Sequence, residues 1–199
     1  MVTRIVYDTE FLDDGNTIAP ISIAMRRVTD GAELYAISDD IVTIARAAEN
    51  AWMRDNVLRW LPINVELSME YDHLNAHVSW DANHPEYEAV KPLEEIRDTV
   101  EDFVLAKANP QLWAYYASYD HVLYAQLHGP MIELPPGMPM YSMDVKHECV
   151  MRGDPKLPSL PEEIVNKRFN GVRMEHHALY DVYEEQHRLE WLFTQKRMV

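Results

Sequence analysis

Ile5-Val6-Tyr7-Asp8-Thr9-Glu10-Phe11 is the stretch on which the reading of this chain turns. Ile5, Val6 and Tyr7 are β-prone residues, so a buried strand is expected there, with two carboxylates at its exposed end. Alternate side chains of a strand share a face, which puts Asp8 and Glu10 together while Thr9 points away. Unpaired buried carboxylates cost several kcal/mol. A bound divalent cation offsets that cost.

Working outward, residues 3–7, 18–28 and 33–38 read as three successive strands. They are separated by Asp13-Asp14-Gly15-Asn16 and Thr29-Asp30-Gly31, both strong turn signals, so an antiparallel meander opens the domain. Pro20 lacks an N–H for the ladder, and a pleat irregularity is expected beside it. Residues 41–61 are helix-compatible, with a break expected near Asn50 and a stop at Pro62. Between Pro62 and Lys91 the signals are mixed. Val65, Leu67, Met69 and Tyr71 alternate as in a strand, whereas His73, His77, Trp80 and His84 follow no clear period, so 62–91 is expected to be an insertion. His73 and His77 have helical i, i+4 spacing but no third ligand for zinc.

Pro92 marks the first position of a helix whose stripe Ile96, Val100, Phe103 and Val104 belongs to the core. Residues 111–115 read as another strand, leading through Ala117-Ser118-Tyr119 to Asp120 at a strand-to-helix junction. Residues 140–145 form a short strand candidate carrying Asp144, either a cap or a group behind the site. Residues 151–161 read as loop. His176-His177 opens a final helix that buries Leu179, Val182, Tyr183, Gln186, Leu189 and Phe193, with Asp181 beside that stripe.

With 199 residues and 47% hydrophobic content, one ordinary core is expected, hence a single domain over 1–199. Apolar runs fall far short of the roughly 18 residues of a membrane span. The N-terminus begins a strand rather than a cleavable leader, so a cytoplasmic protein with no membrane partner is expected. Cys149 is the one cysteine and is expected to be buried packing, excluding an internal disulfide. A net charge of −15 argues against nonspecific duplex binding. The local excess of Lys146, Arg152, Lys156, Lys167, Arg168 and Arg173 is a candidate phosphate-contacting arm, with a solvated loop as the equal alternative.

Asp8 and Glu10, then Asp120, then His176 and Asp181 occur in the order of the three motifs of the DEDDh 3′-to-5′ exonucleases: Asp-x-Glu, an Asp at a helix start, and His-x4-Asp. The chain resembles that family along most of its length. Tyr7-Asp8-Thr9-Glu10-Phe11, Tyr119-Asp120-His121 and Gly129-Pro130-Met131 are similar to its small bacterial, polyadenylate-specific exoribonuclease type. It departs from many members at Tyr116, where they carry Asn four residues before the second-motif Asp.

The resemblance implies an α/β, RNase H-like fold with a central mixed sheet flanked by helices. It also implies removal of nucleoside 5′-monophosphates from the 3′ end of single-stranded RNA. Asp8, Glu10, Asp120 and Asp181 would be metal ligands and His176 the general base. All-oxygen ligands suit two Mg²⁺ ions, with Mn²⁺ able to substitute.

His177 competes with His176 for the proton, but its spacing to Asp181 is four. On a helix, residues five apart differ by about 140°, so His176 is expected on a loop before the helix. Thr9 and Phe11 are close enough to the ligands to touch the terminal nucleotide, Phe11 by stacking on its base. Core packing explains Phe11 equally well. Family members are often dimers, and a homodimer is neither shown nor excluded by the sequence. A DNA or short-oligonucleotide exonuclease, or a catalytically silent nucleic-acid-binding module, are the other readings.

Overall fold

A computed structural model describes residues 2–70 and 72–197. The meander forms from β1 (Thr3–Asp13), β2 (Ile18–Arg27) and β3 (Glu33–Ser38), antiparallel throughout. β7 (Pro110–Ala114) lies parallel to β1 on its other side, followed by β8 (Ser142–Asp144), while β6 (Val90–Lys91) pairs with β3. The resulting six-stranded mixed sheet has the order β6-β3-β2-β1-β7-β8.

β1 is longer than expected, and this changes how the motif is exposed. Its ladder with β2 continues through Asp13↔Ile18, so Asp8 and Glu10 lie within the strand and not at its end. The parallel ladder with β7, however, stops at Val6↔Trp113. From Tyr7 onward β1 has lost its neighbour on that side, and a crevice opens outside the carboxyl end of β7 where ligands of α/β sheets commonly bind. Opposite the two acids stand the small residues Ala24 and Ser22.

The expected irregularity is present: Glu10 pairs with Ser22 and Phe11 with Pro20, leaving Ile21 as an extra residue in β2. Ile21 then packs with the α1 (Ile41–Ala48) and α2 (Ala51–Asn56) cluster, whereas Ile23 and Met25 face the opposite side of the sheet. Asn50 breaks the two helices apart by capping α2, its Oδ1 accepting from the amides of Trp52 and Met53.

One sheet face buries Ile5, Tyr7 and Leu112 against α3 (Leu93–Leu105) and α4 (Ser118–Gln126). Val6, Ala24 and Trp113 pack on the other face against α5 (Val145–Val150) and α7 (Ala178–Thr194). Cys149 is buried there. α6 (Glu162–Arg168) closes a small cluster around Leu160, Phe169 and Tyr180.

Pro92 caps α3 and precedes its first helical residue, one position earlier than expected. Asp144 is a helix cap, accepting from the amides of Lys146 and His147. Within 62–91, β4 (Ile63–Glu70) and β5 (His73–Trp80) form a two-stranded hairpin; the alternation expected to reach Tyr71 ends outside the described residues. Because His73 and His77 sit on a strand, four residues separate them by about 13 Å. The helical premise for a shared zinc ion fails. Among the described residues, no helix is long and apolar enough to cross a membrane.

Candidate active site

The four acids and His176 arrive from three parts of the chain at one cleft of about 410 Å³. β1 supplies Asp8 and Glu10, the first turn of α4 supplies Asp120, and the first turn of α7 supplies Asp181. His176 precedes α7 with φ of 62°, which turns the chain sharply before the helix begins. Donor atoms of Glu10, His176 and Asp181 all lie within 4.8 Å of one another.

Thr9 joins the first two motifs. Asp120 Oδ1 accepts from the Thr9 backbone amide at 3.0 Å and from its hydroxyl at 2.7 Å. Thr9 is buried, on the opposite side of β1 from Asp8 and Glu10, so its hydroxyl is committed to orienting Asp120.

Gathering these carboxylates out of water penalises their charged forms. Burial, then Asp181 and Asp120, pushes the Glu10 carboxyl up to about 8. Burial and then Glu184 raise Asp181 to about 7, against the pull of the His176 backbone amide. Asp120 rises to about 6 through burial, with the Thr9 hydrogen bonds holding it down. Asp8 is raised well above the usual carboxylate range, by burial first and then by Asp120, Glu185, Glu10 and Asp181. Asp8 Oδ2 is buried with no hydrogen-bond partner. An orphaned oxygen within an all-carboxylate set fits a hard divalent cation.

His177 does not compete for the reacting position. It is buried and caps α7, its Nδ1 accepting from the Tyr180 amide at 3.4 Å, while its Nε2 lies 3.1 Å from the Glu86 carboxylate. The neighbouring His176 is exposed, its ring meeting Trp52 edge-on with centroids 4.9 Å apart. Trp60 Nε1 donates to the Glu175 carbonyl at 3.0 Å, so the segment carrying His176 is fastened from the α2 side.

Aromatic rings form the cleft wall. Phe11 stacks on Tyr119 with centroids 5.6 Å apart and planes at 19°, and Tyr115 meets Tyr116 at 4.6 Å. Tyr116 has φ of 59°, a left-handed conformation that Asn tolerates more readily than a bulky side chain. Trp113, by contrast, is core.

Among the described residues, no Lys or Arg lines the cleft. Of the expected basic arm, Lys146 pairs with Asp154, Arg152 with Glu148, Arg168 with Glu33 and Arg173 with Glu162. Four of its six cations are therefore already paired with carboxylates.

One residue of the cluster escaped the sequence reading. Glu185, on α7 one turn beyond Asp181, is 4% exposed and has a buried Oε2 with no hydrogen-bond partner. Burial, then Asp120 and Asp181, raises its carboxyl well above the usual range. Its i+4 spacing from Asp181 is a signal, but a helical Glu ordinarily reads as surface.

No protein-family model matches the chain. Exonuclease I has the same fold with a TM-score of 0.57 at 12% identity, over 98% of this chain and 42% of that one. The Escherichia coli exonuclease I complex with a dT13 oligonucleotide matches at 0.50 and 12%, over 98% and 43%. The chain thus spans less than half the length of those structures, and its mixed sheet with helices on both faces is an RNase H-like fold. Two curated relatives from Mycobacterium tuberculosis, 3′-5′ exoribonuclease Rv2179c of strain ATCC 25618 / H37Rv and 3′-5′ exoribonuclease MT2234.1 of strain CDC 1551 / Oshkosh, are each 32% identical over 163 residues, covering 81% of this chain and 82% of theirs. The chain belongs to this 3′-5′ exoribonuclease family.

Proposed function

We propose that residues 1–199 form one catalytic domain, with 62–91 as an insertion, acting in the cytoplasm on single-stranded RNA. The domain hydrolyses RNA from the 3′ end to nucleoside 5′-monophosphates. The observation that carries this reading is the convergence of Asp8, Glu10, Asp120, Asp181 and His176 on one cleft.

Asp8, Glu10, Asp120 and Asp181 would hold two Mg²⁺ ions, for which Mn²⁺ would substitute. Such a pair, when bound, supplies charge stabilisation for the attacking and departing oxygens of phosphodiester hydrolysis. Thr9 fixes the Asp120 carboxylate in one orientation. His176, exposed beside Glu10 and Asp181, takes the proton of the attacking water, as imidazole does near neutral pH. Phe11 and Tyr119 offer a stacked apolar wall for the terminal base. Among the described residues no Lys or Arg lines the cleft, so bound cations would supply the phosphate neutralisation at the reacting bond.

A time course on 5′-labelled RNA and DNA of several 3′ sequences, oligo(A) among them, tests the proposal in Mg²⁺, in EDTA, and with His176→Ala. A ladder from the 3′ end that needs both the ion and the histidine is expected, with RNA degraded faster than DNA. Cleavage that survives EDTA would sink the metal mechanism; equal rates on DNA would overturn the RNA assignment.

A further inference from the structure

We infer that Glu185 is a fifth carboxylate of the proposed metal centre, a positioning residue that holds the hydration water of the ions bound by Asp8, Glu10, Asp120 and Asp181. The inference rests on the metal-dependent reading of that site.

Residues i and i+4 of a helix lie one above the other on the same face, so Glu185 stands directly behind Asp181 on α7. Its carboxylate is buried among Asp8, Asp120 and Asp181, each of which shares its field. Only the Tyr115 backbone hydrogen bond and the field of Arg188 favour its charged form, and both are outweighed by burial and the neighbouring acids. Arg188 is the basic group nearby, and its guanidinium is occupied by an ion pair with Glu184 and a 3.4 Å hydrogen bond to the Pro158 carbonyl. Among the described residues, Glu185 Oε2 and Asp8 Oδ2 are both buried and both lack any hydrogen-bond partner.

A protonated Glu185 serving only as a structural donor would direct its O–H at a neighbouring acceptor. Its orphaned oxygen meets none. Glu185 Oε2 and Asp8 Oδ2, one oxygen of each carboxylate, are instead left open to further donors in one buried cluster. Mg²⁺ retains several of its waters when bound by protein carboxylates, and those waters are donors only. Groups behind the ligands typically change metal affinity by about 10–100-fold.

Mn²⁺ titration of the full chain, read by electron paramagnetic resonance, tests this together with thermal unfolding in the presence and absence of the ion. Wild type, Glu185→Gln and Glu185→Asp are compared at one fixed pH. Glu185→Gln is expected to bind Mn²⁺ about 10–100-fold more weakly, with a metal-free melting temperature unchanged or raised. Glu185→Asp, which keeps the charge, should recover part of the affinity. If Glu185→Gln does not fold, Glu185→Met takes its place in the same titration. Wild-type affinity in the charge-removing variant would overturn the role of Glu185 and leave the metal site standing. An Asp variant no better than Gln would also overturn it. Absence of Mn²⁺ binding by wild type would remove the metal-dependent reading itself.

Discussion

The Asp120 carboxylate is held by Thr9, 111 residues away, through the 3.0 Å amide and 2.7 Å hydroxyl hydrogen bonds to a single oxygen. The residue between the two strand acids therefore locks the helix-borne acid to them. These two hydrogen bonds join the first and second motifs.

Thr9→Val keeps the shape and removes the hydroxyl donor. A buried acceptor that loses a partner costs about 1–3 kcal/mol, so the urea midpoint should fall accordingly. Turnover should fall with it, by about 10–100-fold if Asp120 orients an ion. Unchanged kinetics with reduced stability would restrict Thr9 to a structural role.

pH supplies a second test, in EDTA. Glu10, Asp181 and Asp120 are raised from 4.5, 3.8 and 3.8 to about 8, 7 and 6, so the folded chain binds more protons than the unfolded one across that range. Stability then decreases with rising pH. As far as these groups decide it, the metal-free melting temperature should be highest below about pH 4 and should fall progressively toward pH 8. Mg²⁺ or Mn²⁺ should restore most at the alkaline end, by linkage. A metal-free melting temperature that rises through this window would contradict the buried acid cluster.

His176 and His177 should separate cleanly. His176→Ala is expected to lower kcat by about 10²–10⁴ while leaving the ion-dependent melting shift in place. His177→Ala removes the α7 cap and the Glu86 contact, and loss of such a cap costs about 0.5–2 kcal/mol. Calorimetry and single-turnover kinetics distinguish the two; equal effects would erase the assignment of the proton to His176.

Phe11→Ala should act on substrate. Stacking of a base on an aromatic ring contributes about 1–3 kcal/mol, so KM for a short RNA should rise about 10–100-fold with little change in kcat. Phe11 is only partly buried, and the melting temperature should move little. A large stability loss with an unaltered KM would return Phe11 to the core.

Local chemistry made much of this molecule readable. Asp-Gly turns delimited the meander, Pro20 announced the bulge at Ile21, Asn50 broke the α1–α2 run, and strand alternation placed Asp8 and Glu10 on one face. β5 escaped although Leu74, Ala76, Val78 and Trp80 alternate along it and the last three pack on the α1–α2 cluster, because His73 and His77 on its exposed face have a helical spacing. α5 and α6 escaped because six and seven residues are too few to establish one.

The order of Asp8, Glu10, Asp120, His176 and Asp181 along the chain carried the resemblance to the exonucleases, because strand parity and helix starts are consequences of neighbouring residues. Nothing local could say that Arg168 would be spent on Glu33, 135 positions away, that Thr9 would grip Asp120, or that Glu185 would be stripped of solvent behind Asp181. Burial and charge environment are sums over groups that meet only when the sheet and helices pack. The same glutamate that is an ordinary surface residue in an isolated helix becomes a buried carboxylate among other acids once α7 packs against β1.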